Sequence, residues 1–117
     1  MSNVYDAAYE MEKAIRASNE YADLQRLYDL VNSDEATKGM FENFRNLQMS
    51  LQQKQMMGQE IAPEEVEQAQ KTVQLVQQNP TISELMEAEQ RMSMVIADLN
   101  KIIMKPLEDL YGLPEQQ

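Results

Sequence analysis

The chain contains no cysteine, no histidine and no tryptophan. The missing cysteine excludes disulfides, thiol nucleophiles and thiolate metal sites together. The missing histidine removes the commonest general base, the commonest transition-metal ligand and every Ser-His arrangement. Glycine and proline are scarce, three and four among 117 residues, and the glycines stand apart, so no Gly-rich phosphate loop can form. Basic charge is also in short supply: ten Lys and Arg face twenty Asp and Glu, for a net charge of -10. A field of that sign repels the phosphates of nucleic acids and of anionic membranes, so neither is expected as a direct partner. The two Phe and five Tyr are not interleaved with positive charge, which leaves no base-stacking platform.

Long apolar runs are missing as well. The longest uncharged and mostly apolar stretch is Met92 to Ala97, far below a membrane span, and the first residues carry neither a basic region nor an apolar leader segment. A cytoplasmic protein is the expectation. The length suits one domain, 1–117, ending in a short polar tail at about 113–117. With 43% hydrophobic residues and a mean hydropathy of -0.59, the core that such a chain can build is thin. Amphipathic helices over a thin core keep apolar stripes that one chain does not cover, so self-association, as a homodimer or higher, is expected.

What the sequence does have is long windows of helix formers, with apolar residues at three- and four-residue steps. Val4, Ala7, Ala8, Met11, Ala14 and Ile15 mark a first helix; Tyr21, Leu24, Leu27, Tyr28 and Val31 mark a second, capped by Ser18 or Asn19. The spacing leaves open whether these are two helices or one bent helix. Ser33 or Asp34 caps a third, running to about Met57, where Gly58 offers a left-handed stop. A fourth begins at Pro63 with Glu64, Glu65 and Glu67 near its positive dipole end, and Asn79-Pro80 ends it. Thr81 or Ser83 is the expected cap of a fifth, with Pro106 ending or kinking it before a tail from Leu107 to Leu113. No segment alternates with period two, so the fold class is all-α, a bundle of four to five helices.

Two stripes are the candidate interfaces, with the oligomer or another protein as partner. On the third helix the stripe is Met40, Phe41, Phe44, Leu47 and Leu51; on the fifth it is Met92, Val95, Leu99 and Ile102, within a heptad that starts at Leu85. The two stripes are expected to bury each other within and between chains. The ten methionines have two readings: core packing, which buried-residue statistics favour, or an adaptable partner-binding face around Met49, Met56 and Met57 or around Met92, Met94 and Met104. Glu64-x-x-Glu67 and Glu84-x-x-Glu87 have one-face spacing, and a carboxylate-dependent metalloprotein or hydrolase is the alternative function they raise. The helical di-iron pattern needs Glu-x-x-His, however, and helix-start charge explains these residues without a metal. No cofactor and no catalytic residue is expected.

Several short elements occur in order along nearly the whole chain. They are Ala8 with Ile15 and Ser18, Phe41-x-x-Phe44-Arg-x-Leu-Gln48, Lys54-Gln-x-x-Gly58, Asn79-Pro80-x-Ile82, Ala88-Glu89, and Ile102-Ile103 with Pro106-Leu107. In these the chain resembles the YlbF/YmcA family of small helical proteins of Gram-positive bacteria, and within it the YheA-type branch. The resemblance implies an all-α fold with a long hairpin and homo-oligomerisation. It also implies an accessory role in a protein complex that modulates an mRNA-processing endoribonuclease, affecting competence, sporulation and biofilm formation. Some members carry cysteines associated with iron–sulfur clusters, a chemistry that this cysteine-free chain excludes for itself.

Overall fold

A computed structural model describes residues 3–112 as five helices: α1 Val4–Arg16, α2 Asn19–Asn32, α3 Glu35–Met56, α4 Pro63–Gln78 and α5 Pro80–Tyr111. Among the described residues there is no strand, and the all-α expectation holds. The expected polar tail at 113–117 lies outside the described residues.

Each boundary has a local cause. Asn3 caps α1 by accepting from the Asp6 N–H while Asp6 accepts from the Asn3 N–H in return. The first two helices are separate, because Ser18 stops one and starts the other. Its hydroxyl donates to the Ile15 carbonyl at 2.6 Å and accepts from the Tyr21 N–H at 3.2 Å. Of the two candidate caps for α3, Asp34 does the work, accepting from the Thr37 N–H at 3.1 Å, while the Ser33 hydroxyl closes α2 on the Leu30 carbonyl. Gly58, at φ 70, ends α3 as expected, with the Gln59 N–H reaching back to the Lys54 carbonyl.

The far end of the chain departs from expectation twice. Asn79, not Thr81 or Ser83, caps α5: its side-chain oxygen accepts from the Ile82 N–H at 3.0 Å, and Pro80 takes the first helical position, where a missing N–H costs nothing. One Asn-Pro pair thus ends α4 and starts α5. Pro106 does not end α5, which continues to Tyr111 and stops at Gly112 with φ 68. Pro106 offers no N–H to the Ile102 carbonyl, but on an exposed helix water can take that bond, and the remaining ladder carries on.

The core forms where four helices meet. Leu27 and Val31 from the end of α2, Phe41 and Phe44 from α3, Val76 from α4, and Ile82, Leu85 and Ala88 from the start of α5 are all buried, with Leu24, Tyr28, Met40 and Met86 packed around them. Within the chain the third and fifth helices do not chiefly bury each other, as the stripes had suggested; α5 lies mainly along α2, and α3 folds back on α4 as the hairpin. The reason is connectivity: a six-residue loop returns α4 onto α3, and the Asn79 turn leaves α5 the opposite side of the core.

Two parts extend from that core, the tip of the α3–α4 hairpin and the second half of α5. The molecule measures 55 × 37 × 22 Å, and its radius of gyration of 18.8 Å compares with about 13 Å for a compact chain of this length. Its accessible surface of 9311 Å² likewise exceeds the roughly 6500 Å² expected of a compact chain of 13.5 kDa.

Candidate functional site

One open groove, about 410 Å³, runs between the hairpin arms and is lined by Leu51, Ile61, Val66, Ala69 and Val73. A second is lined by Met49, Gln52, Gln53, Met56 and Met57. Among the described residues no three acidic side chains gather as they would to hold a metal ion, and no helix is long and apolar enough to cross a membrane. Glu65, one of the acidic residues that begin α4, instead takes the Lys54 ammonium across the hairpin, and this holds its carboxyl below the usual range.

The only polar cluster that joins three helices lies beside the core, as far as the described residues show. Glu89 on α5 accepts from the Tyr28 hydroxyl of α2 at 2.7 Å and from the Arg45 guanidinium of α3. Arg45 also lies 4.8 Å from the Phe41 ring centre, and Tyr28 meets the same ring edge-on at 6.2 Å. Partial burial, then the bond to Glu89, raise the Tyr28 pKa above its ordinary value. One Glu89 oxygen serves both donors, while the Arg45 side chain stays 40% and that of Glu89 25% exposed. The cluster fixes the angle between α2, α3 and α5. The sequence elements Phe41-x-x-Phe44-Arg and Ala88-Glu89 contain three of its four members, but their sequence separation hides the contact, and Tyr28 carried no signal beyond its place on a stripe.

The candidate interface residues divide. Phe41 and Phe44 are buried in the chain's own core and Met40 packs against it, so their apolar surface is used internally. Leu47 and Leu51 farther along α3 are half-buried, as are Met92, Val95 and Leu99 on α5; Ile102 is exposed. Beyond these candidates the structure exposes further apolar residues. Ile103, Leu107, Leu110 and Tyr111 on α5 and Val4, Tyr5 and Tyr9 on α1 all face solvent, and α1 has no buried residue.

The methionines depart from the core-packing expectation. Met40 and Met86 do border the core, but Met49, Met56, Met57, Met94 and Met104 are exposed, Met56 to 81%. The periodicity that places a Met on a stripe does not say whether anything packs on that stripe.

A small core and long apolar helix faces open to solvent define the class that the structure shows: an all-α protein. The chain belongs to the YlbF/YmcA family, whose model, described as control of the competence regulator ComK, matches residues 4–108. It is similar to the UPF0342 protein YheA of Bacillus subtilis, 66% identical over 113 residues that cover 97% of each chain. It is also similar to a UPF0342 protein of Bacillus pumilus, 68% identical over 114 residues with the same coverage. A solved structure of a DUF964 protein from Bacillus stearothermophilus superposes with a TM-score of 0.82 at 46% identity, covering 92% of this chain and 95% of that one.

Proposed function

We propose that this protein is a non-catalytic, cytoplasmic adaptor that acts in regulation by joining protein chains, its own copies and others. The observation that carries this reading is the mismatch between a core of a few side chains and an apolar surface that the chain leaves open at both extended ends. Soluble chains seldom keep such faces bare unless another chain covers them. The family's description as a control of a competence regulator supports a regulatory setting. The finer assignment is an accessory role beside an mRNA-processing endoribonuclease complex, as for the relatives this sequence resembles. With ten basic residues against twenty acidic, such a role runs through protein surfaces rather than through RNA.

The test is capture of the tagged chain from its native cells, with identification of what accompanies it. Recovery of an endoribonuclease complex is the expected result, and repeated recovery of no protein would remove the adaptor reading. Elemental analysis of the purified chain checks its non-catalytic part: stoichiometric bound metal would favour the carboxylate-dependent alternative.

A further inference from the structure

Three methionines line one groove at the tip of the α3–α4 hairpin. Met49, Gln52, Gln53 and Met56 stand at three- and four-residue steps and share a face of α3, and Met57 at its C-cap completes the lining. The three methionines are 66%, 81% and 64% exposed in chain order, whereas Met40 and Met86 pack against the core. Met94 and Met104 are exposed as well, but at 3.6 residues per turn they stand on different sides of α5, while Met49 and Met56 share a side of α3.

The surroundings leave the thioethers as the chemistry of this surface. From Asn46 to Gln59 the one charged residue is Lys54, and Glu65 takes its ammonium across the hairpin. A neutral patch of thioethers and amides thus stands on a chain of net charge -10. The chain has no cysteine, so no thiol on the same molecule meets an oxidant before they do. Oxidation needs no acid or base from the protein. A sulfur lone pair attacks one oxygen of hydrogen peroxide, an S–O bond forms as the O–O bond breaks, and the departing hydroxide takes the remaining proton to leave a sulfoxide and water.

The tip is built to outlast that change. Leu51 and Ile61 fill the inner side of the hairpin, Gly58 ends α3 at φ 70, and the Lys54–Glu65 pair ties the two arms together. None of these contacts runs through a methionine side chain. A sulfoxide turns a flexible apolar side chain polar, so what oxidation removes here is apolar contact surface rather than the hairpin itself.

We propose that Met49, Met56 and Met57 form a reversible oxidation site, which peroxides convert to sulfoxides and which thereby switches off the hairpin tip as an apolar contact surface while the fold persists. Sulfoxide reductases reverse the step: a dithiol is oxidised to a disulfide, and the oxygen leaves as water. The use of this switch to control contacts rests on the adaptor reading; the oxidation itself does not.

The test treats the full chain with graded hydrogen peroxide and maps the oxygen by peptide mass spectrometry. Met49, Met56 and Met57 should oxidise severalfold faster than Met40 and Met86, while circular dichroism stays helical. Fluorescence of Nile red, a neutral apolar dye, on the chain should fall with this oxidation. It should recover after treatment with dithiothreitol and methionine sulfoxide reductases for both sulfoxide epimers. The variant Met49→Leu/Met56→Leu/Met57→Leu keeps the patch apolar without sulfur and should hold most of its dye signal through the same dose. Equal oxidation of core and tip methionines overturns the proposal, as does a tip that stays unoxidised or a helix content that collapses with oxidation. A dye signal that oxidation leaves unchanged, or that falls equally in the triple variant, overturns it too. All of this is read on the pure chain, so its failure is distinct from a capture that recovers no protein, which bears on the adaptor reading alone.

Discussion

The two halves of α5 are both amphipathic but have opposite surroundings. Ile82, Leu85 and Ala88 are lost from solvent among α2, α3 and α4, whereas Ile102, Ile103 and Leu110 farther along the same helix are open to it. Amphipathic spacing specifies a face, and the tertiary arrangement specifies whether that face has a neighbour. The first half has neighbours because the Asn79 turn and the α3–α4 hairpin converge there; the second half outruns every helix that could lie beside it.

The sharpest way to break this comparison is to cut the buried half. Leu85→Ala should cost about 2–5 kcal/mol, the loss typical of a fully buried leucine, read as a lower urea midpoint with unchanged slope. A loss under about 1 kcal/mol would mean that the core is not where the structure puts it. Next comes the polar cluster that sets the helix angles. Glu89→Ala removes the acceptor of both Tyr28 and Arg45 and should cost about 1–2 kcal/mol, since the groups are only partly buried. Much of that loss should vanish when Tyr28→Phe is already present, because a double-mutant cycle isolates the shared bond.

A smaller effect belongs to acid titration of the hairpin and of the α3 cap. Lys54 holds the Glu65 carboxyl below its ordinary 4.5, and the Thr37 hydroxyl, then its N–H, hold Asp34 below 3.8. A carboxyl whose folded pKa is depressed contributes stability above its unfolded pKa and loses that contribution as pH falls through the folded value. The melting temperature should therefore drop on acidification below pH 4.5. In Lys54→Met the drop should be shallower, with Asp34's share intact. Equal pH profiles for the two proteins would show that the Lys54–Glu65 pair does not persist in solution.

The smallest expected effect sharpens the comparison from the exposed side. Met49→Gln and Met56→Gln, on the outer face of the hairpin tip, should change stability by no more than about 0.5 kcal/mol in chemical denaturation. A loss near that of Leu85→Ala would place these methionines in a core that the single chain does not have.

Helix starts and stops were the most legible features of this chain. Asp34 before α3, Pro63 at the head of α4 and Gly58 beyond Met56 act through neighbours within a few residues, so local chemistry alone reveals them. The misplaced cap of α5 is instructive, because Asn79-Pro80 suggested an ending when it is also a beginning: an Asn side chain and a Pro in the next position are together a helix start. Pro106 was the opposite case, a residue whose local chemistry argues for a break but whose single missing bond is too little to stop a helix in contact with water.

The candidate interface was legible only in part. Phe41 and Phe44 and the exposed Ile102 answer to the same stripe rule, yet the first two form the chain's own core and the last is bare. The Tyr28–Arg45–Glu89 cluster was not legible at all, since its members lie on three helices and no spacing along the chain marks their meeting.

The sequence by itself determined the all-α class, a count of four to five helices and most of their ends, together with the exclusion of thiol and histidine chemistry, because those follow from residue type and from interactions within one or two turns. Only the tertiary structure decided which apolar stripes are covered, which methionines are exposed and where Tyr28, Arg45 and Glu89 meet. Those outcomes depend on how two connections, the loop after Met57 and the turn at Asn79, direct whole helices past one another, and that direction is written in no single helix's periodicity.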